Sequence, residues 1–191
     1  RQRYGITPGR YLFYLGNFKP HKNVAGLLRA YADLDAAVRQ ECSLVLGGRR
    51  DRWVPDLERL ATALGTAGRV RFIGQVEEED MPVLFSGADL FVFPSKYEGF
   101  GLPPLEAMAC GTAVVCSERT SVPEVVGDAG ELVDPDDIQA ITAAMARLLG
   151  DAGRRRELER RGREQAGRFA ADSICARQLE ILEAVAAGRN P

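Results

Sequence analysis

The sequence has little of what marks a metal centre, a disulfide framework or a membrane protein. It contains one histidine, His21, and four cysteines at positions 42, 110, 116 and 175 that form no Cys-x-x-Cys pair and no metal-ligand spacing. We therefore expect free thiols, three of them in apolar or helical stretches that favour burial, and a reducing compartment. No apolar run approaches the roughly 18 to 20 residues of a membrane span, and residues 1–10 lack the apolar segment of a secretory signal. The chain is predicted to be cytoplasmic and without a transmembrane segment, with any membrane association made peripherally through another domain.

An excess of charge of one sign is also missing. The chain has 25 lysine and arginine residues and 27 aspartate and glutamate residues, which gives a formal net charge of -2. Such a balance produces no overall field that would attract nucleic acid or an anionic membrane. The 191 residues, 46% of them hydrophobic, are enough for one domain with a sizeable core and too few for two full domains. We expect one domain that binds no nucleic acid.

Short apolar runs alternate with helical stretches along the chain. The runs are YLFYLG (11–16), SLVLGG (43–48), RVRFIG (69–74), DLFVFP (89–94) and AVVCS (113–117). Because each run is almost continuously apolar, it is typical of a parallel strand covered on both faces, with helices as the crossovers. The pattern predicts an α/β fold with a Rossmann-like doubly wound parallel sheet over 11–170. A linker-like start at 1–10 precedes it, and an amphipathic helix and tail at 171–191 follow it, with Ile174, Ile181, Leu182 and Val185 on the apolar side.

Ligands of an open α/β sheet bind beyond the carboxyl ends of the strands, so the segments that follow each strand are informative. After the first run, GNFKPHKN brings Lys19, His21 and Lys22 together ahead of a helix, which suits either an anion or a solvated turn. After the second run, GGRRD adds Arg49 and Arg50, a weaker signal because Gly-Gly often only turns the chain.

The stretch SKYEGFGLPPLEAMACG, residues 95–111, sets two glutamates around a glycine loop. Pro103 and Pro104 suit the first turn of a helix, so the amides from Gly99 to Leu102 are left without helical partners and could receive a diphosphate. Glu106 lies about one turn inside that helix, and carboxylates bond well to paired hydroxyls. Taken singly, Glu106 could complement the helix dipole and Glu98 could be solvated; the pair around the loop favours a sugar-bearing ligand with phosphates between its ends.

Four stretches together resemble a known family in its own order: YLFYLGNFKPHKN, RVRFIGQV, FVFPSKYEGFGLPPLEAMACGTAVV and SVPEVVGDAG. The family is the C-terminal domain of retaining GT-B glycosyltransferases, particularly glycosyltransferase family 4, in which a glutamate is followed by seven residues and a second glutamate. The resemblance covers nearly the whole chain. It implies one half of a GT-B fold, a nucleoside diphosphate sugar as substrate, and neither a cofactor nor a metal.

The resemblance also implies roles. Glu106 would hold the ribose hydroxyls, Glu98 would contact the donor sugar, and Lys22 would pair with the phosphates. The loop amides would take the diphosphate, the backbone near Gln75 would meet the base, and Glu98 and Lys22 would be the catalytic residues. The complete implied site is Gly16, Asn17, Lys22, Gln75, Val76, Glu98, Gly99, Phe100, Gly101, Leu102 and Glu106.

One position departs from the family pattern. Many relatives carry an arginine directly after the glycine of the first strand, where this chain has Asn17. Lys22 remains, and Lys19 or His21 could supply the missing donor to the phosphates. A subset resembling bacterial mannosyl- and rhamnosyltransferases also lacks that arginine, which favours GDP-mannose over a UDP-sugar.

We therefore expect the donor-binding domain of an enzyme that transfers a hexose, with mannose favoured, to a glycan or lipid-linked acceptor. An N-terminal acceptor domain would be a separate part, so this chain would be an excised domain or a natural half and would not turn over alone. Two alternatives stay open: half of a GT-B nucleotide-sugar epimerase or hydrolase, and a noncatalytic nucleotide-binding partner subunit.

Three further signals have ordinary local explanations. Asp-Pro-Asp at 134–136 matches an Asp-x-Asp metal motif but is interpreted as a turn before a helix capped by Asp136 or Asp137. SVPE at 121–124 is interpreted as a capping box. The arginines from 154 to 163 alternate with glutamates and predict a solvated helical face.

Overall fold

A computed structural model describes residues 2–6 and 9–186. Within these residues, six strands form one parallel sheet in the order β3-β2-β1-β4-β5-β6. The strands are β1 (Arg10–Leu15), β2 (Cys42–Gly47), β3 (Val70–Gly74), β4 (Leu90–Phe93), β5 (Val114–Ser117) and β6 (Glu131–Val133). The helices are α1 (Val24–Ala32), α2 (Ala36–Glu41), α3 (Val54–Ala63), α4 (Met81–Ser86), α5 (Leu102–Ala109), α6 (Val122–Val126), α7 (Ile138–Gly150), α8 (Ala152–Gly167) and α9 (Ala171–Ala186).

All five apolar runs form strands, as predicted, but only four of these strands, β1, β2, β4 and β5, are almost wholly buried. In β3, at the edge of the sheet, Val70 alone is buried. All residues of β2, β4 and β5 are buried, and in β1 only Arg10 is not. Phe13, Phe85 and Phe91 meet edge to face, with ring centroids 5.2 to 6.0 Å apart. These contacts join β1, β4 and α4 in one aromatic core, which is the packing that strands covered on both faces require.

The strand order makes β1 and β4 neighbours. From β1 the chain moves outwards through β2 to β3, then returns to place β4 on the other side of β1 and continues to β6. Right-handed crossovers therefore put α1 and α3 on one face of the sheet and α4, α5 and α6 on the other. The helices that follow β1 and β4 lie on opposite faces, so the loops that lead to them border a crevice at the carboxyl ends of these two strands.

The segment before β1 and the helix α9 lie outside the sheet, at the two ends of the described chain. In the segment predicted to be linker-like, Ile6 is buried and the Tyr4 hydroxyl donates to Asp80, 2.8 Å away. At the other end, the predicted amphipathic helix is α9, on which Leu182 and Val185 are 66% and 59% exposed. The side chain of Ile174 and residues 187–191 lie outside the described part. Among the described residues, no helix combines the length and apolar character needed to cross a membrane.

The four cysteines are free. Cys42 and Cys116 are buried, Cys110 is partly buried and Cys175 is exposed. Burial raises the pKa of the Cys42 thiol to about 12, so this thiol stays protonated at physiological pH.

Candidate functional site

The loops that follow β1 and β4 are fastened to each other at the crevice. The Lys96 amide donates to the carbonyl oxygen of His21, 2.7 Å away, and the buried Ser95 hydroxyl donates to the same oxygen at 3.2 Å. Further along, the Asn23 side-chain amide donates to the Pro135 carbonyl at 2.6 Å. Asn23 sits at φ 56°, a left-handed conformation that asparagine tolerates better than most residues. Three separate loops are thus held at one edge of the sheet.

Lys22 and Glu98 form an ion pair across this crevice. The Lys22 Nζ lies 2.6 and 2.7 Å from the two carboxylate oxygens of Glu98. Only 13% of the lysine side chain and 10% of the glutamate side chain are exposed. The ammonium also lies 5.5 Å from the centre of the Phe93 ring, where an aromatic face attracts a cation. The two predicted catalytic side chains are therefore in contact, and their charges compensate each other.

The glycine loop offers a row of backbone donors. The helix after β4 begins at Leu102 and has Gly101 as its N-cap, at φ 108°. In the described part of the chain, the N–H groups of Gly99, Phe100, Gly101 and Leu102 donate no hydrogen bond, and Pro103 and Pro104 have no N–H. A methyl group built on Gly99 would meet nothing within 4 Å. These are the features of an anion site: unpaired amides at the positive end of a helix with no side chain in the way.

An aromatic contact holds the middle of this loop. The Phe100 ring is 42% exposed and meets the Phe169 ring edge to face, with centroids 5.9 Å apart. Phe169 follows α8 and packs on the hydrophobic core. Because glycines flank Phe100 on both sides, the backbone there has little stiffness of its own, and the ring contact restrains it.

Glu106 lies one turn inside α5, as predicted, but in different surroundings from Glu98. It has no hydrogen-bond or ion-pair partner among the described residues, and it borders a groove of about 240 Å³ between α4 and α5. Partial burial, followed by the negative charge of Glu78 across the groove, raises the pKa of the Glu106 carboxyl above its usual value. A carboxylate without partners next to a groove is free to accept hydrogen bonds from hydroxyls.

The remaining predicted residues lie at the same edge of the sheet. Gly16 directly follows β1, and its amide donates to the Gly47 carbonyl at 3.0 Å. Asn17 is exposed, and its side-chain oxygen accepts from the Lys19 amide at 3.2 Å, so this side chain stabilises a turn. Gln75 is exposed and Val76 is buried, and both directly follow β3.

Three of the basic residues after β1 and β2, namely Lys19, His21 and Arg52, line a hollow. A cavity of about 540 Å³ is bordered by Lys19, Pro20, His21, Asp51, Arg52 and Trp53. Arg52 stacks over the Trp53 ring at 4.9 Å, and Arg50 pairs with Glu58 at 2.6 Å. Of the basic residues in these two loops, Lys22 alone takes part in the ion pair at the crevice.

Two of the local interpretations are resolved by the contacts. The capping box at 121–124 is wrong: α6 does begin at Val122, but the Ser121 hydroxyl accepts no hydrogen bond from the first turn of the helix. It donates to the Glu98 carbonyl at 3.0 Å. For α7 the cap is Asp137, whose carboxylate accepts from the Ala140 amide at 2.9 Å. The other two aspartates form ion pairs with basic side chains: Asp134 pairs with Arg119 at 2.7 Å, and Asp136 pairs with Arg119 and Lys96.

Sequence reasoning missed the residues that hold Glu98 and the loop. Thr120 accepts from the Glu98 amide, Ser121 bonds its carbonyl, and Phe169 holds Phe100. Thr120 and Ser121 follow β5, and the rule that directs attention to segments after strands could have found them. Phe169 is 69 positions from its partner along the chain, and no local signal marks that contact.

Comparison with known proteins identifies the family. The model of the family described as Glycosyl transferases group 1 matches residues 1–165. O-antigen chain mannosyltransferase B of Escherichia coli is 44% identical over 183 residues, which are 95% of this chain and 48% of that protein. Among solved structures, sucrose-phosphate synthase from Thermosynechococcus elongatus matches with a TM-score of 0.84 and 30% identity, over 98% of this chain and 48% of that one. The Anabaena HepE protein in complex with UDP and glucose matches with a TM-score of 0.82 and 25% identity, over 98% and 51%.

The chain spans about half the length of these relatives. Its fold is the α/β Rossmann-like fold of one half of GT-B glycosyltransferase structures, as predicted. The family model covers most of the chain, and the relatives are named glycosyltransferases. The chain therefore belongs to the Glycosyl transferases group 1 family.

Proposed function

We propose that this chain is the donor-binding half of a retaining glycosyltransferase that takes mannose from GDP-mannose and passes it to a glycan or lipid-linked acceptor. The E. coli relative is named a mannosyltransferase, which supports the sugar. The Anabaena neighbour was solved with UDP and glucose, which supports a nucleoside diphosphate sugar as the class of donor. The observation that carries the proposal is the row of amides from Gly99 to Leu102, which donate to no group of the described residues, beside the Lys22–Glu98 pair.

The diphosphate binds to these amides. A diphosphate needs several donors and compensation for its charge, and the row of N–H groups together with the positive end of α5 provides both. Because Glu98 already compensates the charge of Lys22, the amides and the helix dipole carry most of the interaction with the bound diphosphate. Lys22 contributes further when negative charge develops on the leaving diphosphate during transfer, since a fixed cation in a crevice needs no reorganisation.

The two glutamates bind the two ends of the donor. Glu106, which has no partner in the described chain, accepts hydrogen bonds from the ribose hydroxyls, and the residues around Gln75 meet the base. Glu98 is oriented by Lys22 and contacts the donor sugar. The interaction with nucleotide is thereby separated from the interaction with sugar, and the two can be measured independently.

Isothermal calorimetry tests the assignment. GDP, UDP, ADP and dTDP, each alone and as its sugar conjugate, are titrated into the wild-type chain; we expect GDP and GDP-mannose to bind most tightly. Glu106→Ala should weaken GDP binding by about 1.5 to 3 kcal/mol, the range for hydrogen bonds to a charged group. Glu124→Ala, an exposed glutamate on α6, is the matched control and should leave GDP binding unchanged. Unchanged affinity in a folded Glu106→Ala variant would contradict the ribose role.

Transfer requires the acceptor to be held as well. We expect the chain alone to bind donor without transferring sugar, because positioning of the acceptor supplies roughly 7 to 11 kcal/mol of the barrier reduction. Incubation with donor and acceptor, followed by mass spectrometry, measures product, and a two-domain relative serves as the control. Turnover within about tenfold of that control, a gap of only about 1.4 kcal/mol, would contradict the half-enzyme proposal.

A further inference from the structure

Thr120 has an unusual backbone conformation for its residue type. It lies at φ 59°, in the left-handed region, where a β-branched side chain crowds its own backbone. Apart from glycines, the positive-φ residues of the described chain are Thr120 and Asn23, and asparagine tolerates this region far better than threonine does. Such a conformation persists where the surrounding contacts impose it, and it is found most often at functional sites.

The contacts of Thr120 lead to Glu98. The Glu98 amide donates to the Thr120 Oγ1 at 3.1 Å, and that hydroxyl donates in turn to the Arg119 carbonyl at 2.8 Å. The next residue, Ser121, donates its hydroxyl proton to the Glu98 carbonyl at 3.0 Å. Two successive hydroxyls after β5 therefore hold both peptide groups of Glu98, while Lys22 holds its carboxylate.

We propose that Thr120 is a positioning residue for Glu98, and that its strained backbone is what brings the hydroxyl within reach of the Glu98 amide. The inference rests on the proposed role of Glu98 in binding the donor sugar. Glu98 stands at the start of the glycine loop, where Gly99 and Gly101 give the backbone little stiffness. Without the hydroxyl of Thr120, the Glu98 peptide samples other orientations, and affinity falls with the fraction of molecules in the competent one.

Three variants separate the hydroxyl from the strain. Thr120→Ser keeps the hydroxyl, Thr120→Ala removes it, and Thr120→Gly removes both the hydroxyl and the steric conflict. In calorimetry, we expect Thr120→Ala and Thr120→Gly to weaken GDP-mannose binding about fivefold, the size of one hydrogen bond, and to change GDP binding by less than about twofold. Thr120→Ser should restore the wild-type value. Equal losses for GDP and GDP-mannose would overturn the assignment to Glu98.

Thermal unfolding tests the strain. At an ordinary helical position, alanine stabilises a protein more than glycine does. The control is Thr62, an exposed residue of α3 whose hydroxyl donates to the Glu58 carbonyl in the same helix. There we expect Thr62→Ala to melt at a higher temperature than Thr62→Gly. At Thr120 the order should reverse, with Thr120→Gly melting about 2 to 4 °C above Thr120→Ala. If Thr120→Ala melts at the higher temperature, the strain is absent and the inference fails.

Amide hydrogen exchange decides the positioning without any ligand. The exchange rate of the Glu98 N–H should rise about tenfold in Thr120→Ala and return to the wild-type rate in Thr120→Ser. The Lys96 N–H, bonded to the His21 carbonyl, is the internal reference and should not change. An unchanged exchange rate of the Glu98 N–H would refute the inference about Thr120 and would leave the proposed function untouched. If wild type binds neither GDP-mannose nor UDP-glucose, the proposed function fails, and the exchange data still decide whether Thr120 holds Glu98.

Discussion

Replacing Lys22 with alanine should be costly because it leaves Glu98 charged and largely buried. The exposures of 13% and 10% put this pair close to the buried limit, for which loss of one partner costs roughly 3 to 5 kcal/mol. Some solvent contact remains, so we expect the lower end, about 3 kcal/mol. The double variant Lys22→Ala/Glu98→Ala should be more stable than Lys22→Ala alone, since it removes the unpaired charge.

Urea unfolding at pH 7 of wild type, the two single variants and the double variant measures these free energies. Lys96→Ala is the matched control, because its pair with Asp136 is 43% and 47% exposed and should contribute at most about 1 kcal/mol. A Lys22→Ala variant within about 0.5 kcal/mol of wild type, as for an ordinary surface substitution, would refute a buried pair at the crevice. GDP binding by Lys22→Ala should also weaken, because the uncompensated Glu98 carboxylate repels the diphosphate.

Three further outcomes are expected. Glu106→Gln should raise the free energy of unfolding at pH 7, because burial, and then the charge of Glu78, disfavour the charged form of Glu106 and raise its pKa. This gain in stability should shrink as the pH is lowered through the raised pKa towards the usual value of 4.5. A gain that grew at acid pH would contradict the prediction. Phe169→Ala should weaken GDP binding about threefold to tenfold through the loop at Phe100, while Phe169→Leu weakens it less; equal affinity in all three proteins would rule out that contact as a restraint. EDTA should leave GDP affinity unchanged, because the aspartates of the 134–136 turn bind Arg119 and Lys96; a loss restored by magnesium would contradict this.

Five of the six strands in the described chain could be predicted because their physical cause is local: each is a nearly continuous apolar run. The runs at 11–16 and 43–48 differ from β1 and β2 by one residue at each end. The sixth strand, β6, has three residues, of which only Val133 is buried, and it is not one of the five runs. The glycine loop and the start of α5 were also predictable, since glycine and proline restrict the backbone wherever they occur. The position of Glu106 one turn inside the helix follows from the same local rules.

The contacts between loops could not be predicted in this way. The Lys22–Glu98 pair joins residues 76 apart, and the bond from Ser121 to Glu98 joins residues 23 apart. Ser121 illustrates the difficulty: its spacing to Glu124 fits a capping box, yet its hydroxyl donates to the Glu98 carbonyl in another loop and accepts nothing from the first turn of α6. Which of two satisfactory partners a hydroxyl takes depends on the tertiary structure, which places β4 and β5 side by side.

The most direct test of the account is the amide spectrum of the glycine loop. In ¹H–¹⁵N NMR of the chain, we predict that saturating GDP shifts the resonances of Gly99, Phe100, Gly101 and Leu102 most strongly, because their free N–H groups become donors to the diphosphate. Guanosine, which lacks the phosphates, should leave these four resonances nearly unchanged. If GDP binds and the largest shifts fall elsewhere, for example on the loop at Lys19 and Arg52, then the glycine loop is not the diphosphate site and the central claim is wrong.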